Sequence, residues 1–471
     1  MVAWRFRLRT LAQREIVIAA VAAGLTMLLA FAGLHKLGTA GLLLPLAVVL
    51  VVILVGRPVA MVTLVVGLAI LCEGPTFGLF HFTSHLYDHF KGLTPLDALV
   101  ALAVLSVGLD LMRRRRSPRV PRPLALPLML LALAMISGAV VGHAAGVSLR
   151  TVLVAENVLA YLLVLPVAIA NLELERRQLV WCIGALGGLA ILKAGLGLIE
   201  VFGHYGESVE GTATLTYYEP AANWLIMMAL LGALALVMAR AKPPAWILLG
   251  SPLLLASLVL SYRRSFWIAT VLGLLLVVLL GTSSPGRRLL LPVGLLLTVS
   301  VLLLGSISFQ SSESPIARRV ASLSPSKLEA NVQDRYRLDE RANVLGAIGQ
   351  NPITGLGVTI PWAATFQPLS VEHPEGRQYV HFAALWFWLK LGILGLLAYV
   401  TLLAGSALLA WQAWRRSPEP VLRAFALASL CAVVGLSAMD TTASFTGVDP
   451  RFTVLLGAQL GLLGLIVRTA A

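Results

Sequence analysis

Two adjacent arginines, Arg263 and Arg264, interrupt an otherwise apolar stretch, LVLSYRRSFWIA. The connection is too short to be a domain, so two guanidinium groups at a membrane boundary need a reason. An anionic ligand is the simplest one. A second group of arginines lies in the hydrophilic segment SLSPSKLEANVQDRYRLDERANVLGAIGQNPITGLGVTIPW. Its pattern predicts a helix from Lys327 to Gly349, ended by Asn351-Pro352. Arg337 and Arg341 then share a face at i, i+4, while Arg335 points elsewhere. Salt bridges to Asp334, Asp339 and Glu340 are the competing use for these arginines. His381 opens the apolar run YVHFAALWFWLKLGILGLL, where an imidazole can cap, snorkel or take a proton. Two arginine groups and one histidine at a single membrane level form an anion-plus-base constellation. Glu219 and Asn223 follow Tyr217 and Tyr218; the tyrosines read as an interfacial belt, and the two polar residues as contacts for sugar hydroxyls.

The elements that carry these residues follow from composition. Of 471 residues, 58% are hydrophobic and only 12% charged, against about 25% in soluble domains. Too few polar side chains exist to cover a water-exposed surface, so lipid must be much of the solvent. Apolar runs predict fourteen transmembrane helices, near 16–35, 39–56, 58–73, 95–112, 124–145, 150–171, 179–202, 217–239, 245–262, 265–281, 289–307, 379–407, 424–439 and 452–467. The expected fold is an all-α polytopic membrane protein, one integral membrane domain over 1–471, with a large, mostly helical extracytoplasmic loop at 306–378 capping the site. With both termini inside, 21 of the 36 Lys and Arg fall in cytoplasmic connections, including the run RRRRSPRVPR. That bias explains the net charge of +14 without nucleic acid as a partner. The loop at 306–378 balances seven basic residues with seven acids. The first span reads as retained, not as a cleaved signal.

Three elements, in order, resemble the O-antigen ligase and O-antigen polymerase superfamily of bacterial membrane glycosyltransferases. They are Arg264-Ser265-Phe266-Trp267; Arg337 fifteen residues before Pro352-Ile353-Thr354-Gly355-Leu356-Gly357; and His381 followed by Gly392 and Gly395. The resemblance covers about residues 217–400. It implies a glycosyltransferase C-like membrane fold in the bacterial plasma membrane with the site facing the periplasm. It also implies transfer of a glycan en bloc from a polyprenyl diphosphate-linked oligosaccharide to a hydroxyl of a glycan or glycolipid acceptor, as in lipopolysaccharide assembly. On that reading Arg264 and Arg337 clamp the diphosphate and His381 handles the acceptor. Arg263, Arg341, Arg335, Glu219 and Asn223 would bind substrate. The family usually has Asn after the histidine, where this chain has Phe382, and Lys390 stands where an acidic or neutral residue is common.

No Asp-x-Asp and no Gly-Lys-Ser/Thr loop occurs, so neither a metal-bound nucleotide sugar nor a nucleotide-driven step is expected. No cofactor and no metal is expected, although His81, His85 and His89 repeat at i, i+4, i+8 in a segment that reads equally as an interfacial helix. A polymerase of the same superfamily shares these motifs. A lipid-linked glycan flippase or ion-coupled transporter is the rival from another class, sustained by the intramembrane charges Glu156, Lys193 and Glu200. Glu156 and Lys193 are expected to neutralise each other. Asp440 and Arg451 bracket a last turn near the same level.

Overall fold

The computed structural model describes residues 53–72, 81–88, 92–203, 219–239, 244–281, 332–369 and 376–470. The chain divides into two compact units, 1–61 and 62–471, and nearly all described residues belong to the second. The helices are α1 (Pro58–Leu71), α2 (Pro95–Arg113), α3 (Arg122–Ala144), α4 (Leu149–Ala155), α5 (Asn157–Ala170), α6 (Arg176–Gly203), α7 (Pro220–Met238), α8 (Ala245–Leu260), α9 (Arg264–Gly281), α10 (Val332–Gln350), α11 (Ala383–Arg416), α12 (Pro420–Met439) and α13 (Pro450–Thr469). Among the described residues eight helices are long and apolar enough to cross a membrane, and α4 and α5, bent by 53°, meet the same measure when taken together. The protein is therefore an all-helical polytopic membrane protein.

Every expected span from 58–73 to 265–281, and the last three, coincides with a described helix or bent pair. Two of these, α1 and α8, are apolar but short, at 14 and 16 residues. The expected spans 16–35 and 289–307, and most of 39–56, lie outside the described residues.

Local sequence sets the helix starts. Pro95, Pro220, Pro420 and Pro450 each occupy the first helical position, where the missing N–H is no loss and φ is already helical. Thr94 and Asp97 add a reciprocal capping box to α2. In the second unit α7, α12 and α13 are mostly buried, whereas α2 and α6 leave most side chains facing outward. Glycines allow α13 to lie close against α5: a Cβ at Gly457 would meet Leu165 at 3.1 Å, and one at Gly464 would meet Ala170 at 3.1 Å.

One expected helix is broken. At Gly392, inside α11, the backbone turns to φ +69°, ψ −163°, a conformation open essentially to glycine alone. The break frees backbone groups in mid-helix, and the turn at 352–357 takes them up. The N–H groups of Leu356 and Gly357 donate to the carbonyls of Leu389 (2.7 Å) and Lys390 (3.1 Å), and Ile393 N–H donates to Ile353 O at 3.1 Å. The two chains approach so closely that a Cβ on Gly355 would sit 2.6 Å from Gly392 N. The glycines of two separate motifs thus meet backbone to backbone.

Candidate functional site

The short turn between α8 and α9 places Arg263 and Arg264. Tyr262 adopts φ +54°, a strained left-handed backbone for a bulky side chain. Trp267 closes the turn: its Nε1–H donates to Leu258 O at 2.9 Å, a carbonyl of the last turn of α8 that also accepts from Ser261. This accounts physically for the tryptophan of the arginine–small–x–Trp element. The Arg263 guanidinium lies over the Phe445 ring at 5.4 Å.

Helix α10 carries the other arginines. Arg264 reaches across to it, its Nη2 donating to both oxygens of Asp334 at 2.8 and 2.9 Å. Arg337 Nη1 donates to the same Asp334 Oδ1 at 3.0 Å. One carboxylate therefore bridges the two arginines expected to act together, and the Arg264 side chain is 11% exposed. Arg337 Nε is buried and makes no hydrogen bond among the described residues. Arg341 stacks its guanidinium over the Phe382 ring at 5.6 Å. Arg335 is exposed.

His381 lies just before α11, in an extended link, with Phe382 as the N-cap; the helix starts four residues later than the apolar run suggested. Glu340, whose side chain is 0% exposed, accepts the His381 backbone N–H at 2.9 Å and faces Nδ1 at 3.0 and 3.2 Å. A carboxylate can only accept, so Nδ1 is the nitrogen that carries a proton toward it, and in the neutral imidazole Nε2 is the acceptor. Tyr379 and Tyr336 stand edge-on to the imidazole, with centroids 4.9 and 5.9 Å away. The link is fixed on all sides. Ser444 Oγ donates to Val380 O at 2.5 Å, Ala383 N–H donates to Asp440 O, and Trp362 Nε1–H donates to Tyr379 O.

Asp334, Arg337 and Glu340 are spaced i, i+3, i+6 and form one row on α10. That row joins the arginine pair to the histidine about one helical turn, roughly 4.5 Å of rise, further on. The next turn adds Asn343, whose Oδ1 accepts the N–H groups of Phe366 and Gln367, while Gln367 Nε2 donates to Asp339 at 2.6 Å. The loop after the glycine turn is strapped to α10 by these bonds.

Glu219 and Asn223 meet a different partner. Glu219 is buried and ion-paired with Arg451, and Asn223 Nδ2 donates to Glu219 O at 3.0 Å. Arg451 also lies over the Tyr87 ring at 5.3 Å. Tyr217 and Tyr218 lie outside the described residues. Glu156 occupies the bend between α4 and α5 with Oε1 buried and unpartnered among the described residues, so the expected pairing with Lys193 is not formed. Lys390, also buried, donates to Ile360 O beside the glycine turn. His85, in the 3₁₀ segment His81–Leu86, pairs with Asp88 just beyond it at 2.6 Å. With three residues per turn, that segment does not align residues four apart. The His81 side chain and His89 lie outside the described residues.

The partnership of Glu340 with His381 was not anticipated from sequence, where Glu340 counted only as a mate for arginine. The spacing of Asp334, Arg337 and Glu340 was a visible signal; the pairing with a residue 41 positions away was not.

The architecture is that of a helical membrane protein with an arginine pair and a carboxylate-bound histidine at one end of its bundle. Residues 249–400 match the family model described as O-antigen ligase, which supports assignment to the O-antigen ligase superfamily and an O-antigen ligase- or polymerase-like function. The matched stretch contains Arg263, Arg264, Arg337, Arg341 and His381. No curated protein matches the chain.

Proposed function

We propose that the protein is a membrane glycosyltransferase that moves a glycan en bloc from a polyprenyl diphosphate carrier to a hydroxyl acceptor. The site faces the outside of the plasma membrane, and both termini are cytoplasmic. The observation that carries this reading is the row on α10: it holds a two-arginine anion site and a proton acceptor one turn apart. In the reaction the acceptor oxygen attacks the anomeric carbon, its proton passes to His381 Nε2, and the carbon–oxygen bond to the diphosphate breaks. Polyprenyl diphosphate leaves with the bonding electrons. Negative charge grows on the leaving group, where Arg264 and Arg337 stabilise it. Arg263 and Arg341, each seated on an aromatic ring, flank the pair, and exposed Arg335 meets the donor from solvent. Glu219 and Asn223, held together beside Arg451, contact hydroxyls of the glycan. The chemistry asks nothing of a metal ion, because the diphosphate is already a good leaving group. A polymerase would use the same groups with a different acceptor.

The test is transfer by purified protein in detergent with a chelator, given a polyprenyl-diphosphate oligosaccharide and candidate acceptors. Released polyprenyl diphosphate with an enlarged acceptor is expected, and Arg337→Ala and His381→Ala lower its rate by about 10²-fold or more. Folded variants that keep full activity refute the assignment. Binding of donor without consumption by any acceptor would favour the flippase reading.

A further inference from the structure

A cavity of about 480 Å³ opens at the ends of α2, α4, α5 and α13, with Gln378 of the segment leading to His381 in its wall, a size suited to a small ligand. Its hydrogen-bonding wall includes Tyr87, Thr151, Asn157, Tyr161, Thr359 and Gln378, and among the described residues no charged side chain lines it. Gln378 precedes His381 by three residues, so their Cα atoms are at most about 11 Å apart. The segment between them is held by the bonds of Trp362 to Arg377 O and Tyr379 O. Gln378 Nε2 also bonds Thr359 O across the wall, at 3.4 Å.

The polarity of this wall is directional. Asn157 Nδ2 donates to both oxygens of Asp97 at 3.0 Å, Tyr161 O–H donates to the same carboxylate, and Tyr87 O–H donates to Cys72 O. Those donors are spent on groups behind the wall. What remains for a ligand is the acceptor capacity of the Asn157 and Gln378 amide oxygens and the tyrosine oxygens, together with the hydroxyls of Thr151 and Thr359, of which Thr359 Oγ1 has no partner among the described residues. An ionised phosphate or carboxylate, which can only accept, would meet those two hydroxyls but no cation among the described lining residues. A ligand rich in O–H donors fits.

We propose that this cavity is the acceptor subsite and takes an uncharged, hydroxyl-rich sugar, presenting one of its hydroxyls toward His381. The proposal rests on the transferase reading and names its acceptor class: a neutral terminal sugar, not a phosphorylated or uronic one. The arginine pair reaches His381 through α10 and the cavity reaches it through 376–380, so donor and acceptor approach the base along separate elements.

Two arms test this. In lipid nanodiscs without donor, saturation-transfer NMR is recorded with neutral methyl glycosides (gluco, galacto, manno and N-acetylglucosamine forms), with methyl glucuronide and with glucose 6-phosphate. At least one neutral glycoside is expected to show a signal stronger than either charged sugar. Thr151→Trp, which fills the cavity from an exposed position, and Gln378→Leu should each weaken that signal several-fold, and Arg337→Ala should leave it intact. Absence of any neutral-sugar signal, a preference for a charged sugar, or a signal indifferent to Thr151→Trp overturns the proposal. In the transfer assay, Thr151→Trp is expected to raise acceptor KM at least tenfold with donor KM unchanged. Transfer with an unchanged acceptor KM removes the cavity assignment but leaves the transferase reading. A cavity-dependent sugar signal in a protein that never transfers does the reverse.

Discussion

Replacing Glu340 separates a structural role from a chemical one. Its carboxylate takes two donors from one residue, the His381 backbone N–H and Nδ1–H, in a place with no exposure to water. Glu340→Ala leaves both donors buried and unmet, at about 1–3 kcal/mol each. Partial relaxation should bring the loss to about 3 kcal/mol, a large share of the ~5–15 kcal/mol that holds a typical domain together. Glu340→Gln is the informative change. Its amide oxygen can still accept the backbone N–H, which limits the stability loss to about 1–2 kcal/mol. Its NH₂ group, however, can donate to Nδ1. That moves the imidazole proton to Nε2, the atom that must accept. The variant should therefore melt only a few degrees below the parent and lose about 10²-fold or more in kcat, with donor KM unchanged. Thermal unfolding in detergent and steady-state transfer on the same preparation measure both. A Glu340→Gln protein with near-parental kcat would refute the idea that the carboxylate sets the tautomer.

Gly392→Ala puts a methyl group well inside contact with Ile353 O, at φ +69°, and should cost more than about 3 kcal/mol. Gly349→Ala, with nothing within 4 Å, should be neutral or gain up to about 1 kcal/mol; melting temperatures compare the two. Asp334→Asn removes the charge that Arg264 and Arg337 share, so titration calorimetry with inorganic pyrophosphate should show roughly fivefold tighter binding; weaker binding would mean that the carboxylate shapes the site and does not compete for it. Asp440 accepts from Tyr399 and Thr446, yet burial pushes its carboxyl up to about 7. The folded state then holds a proton that the unfolded state releases near pH 4. Stability falls as pH rises from about 4 to 7, and Asp440→Asn should flatten that fall in melting curves taken across the range.

Much of the fold was legible because membrane spans are written in composition. In a solvent that cannot hydrogen-bond, each span must satisfy its own backbone, so apolar runs and helix starts coincide. The spans from α2 to α13 were readable for this reason. The bend at Glu156 and the break at Gly392 were not; at Gly392 the freed backbone groups are satisfied by another segment, the turn at 352–357. Gly392 is visible in the sequence as a motif glycine, but its physical reason appears only when Gly355 is found packed on it.

The sequence by itself determined that the protein is helical, that it sits in a membrane, and that Arg263, Arg264, Arg337, Arg341 and His381 are the residues to watch. Each follows from a local cost: a charge or an imidazole at an apolar boundary is expensive unless something uses it. Tertiary structure decided the partners. It gave Asp334 to Arg264 and Arg337, Glu340 to His381, Phe382 to Arg341 and Arg451 to Glu219. A side chain's need for a partner is set by its own chemistry and its burial. Which partner it finds depends on how helices dozens or hundreds of residues apart are packed, and no local pattern records that.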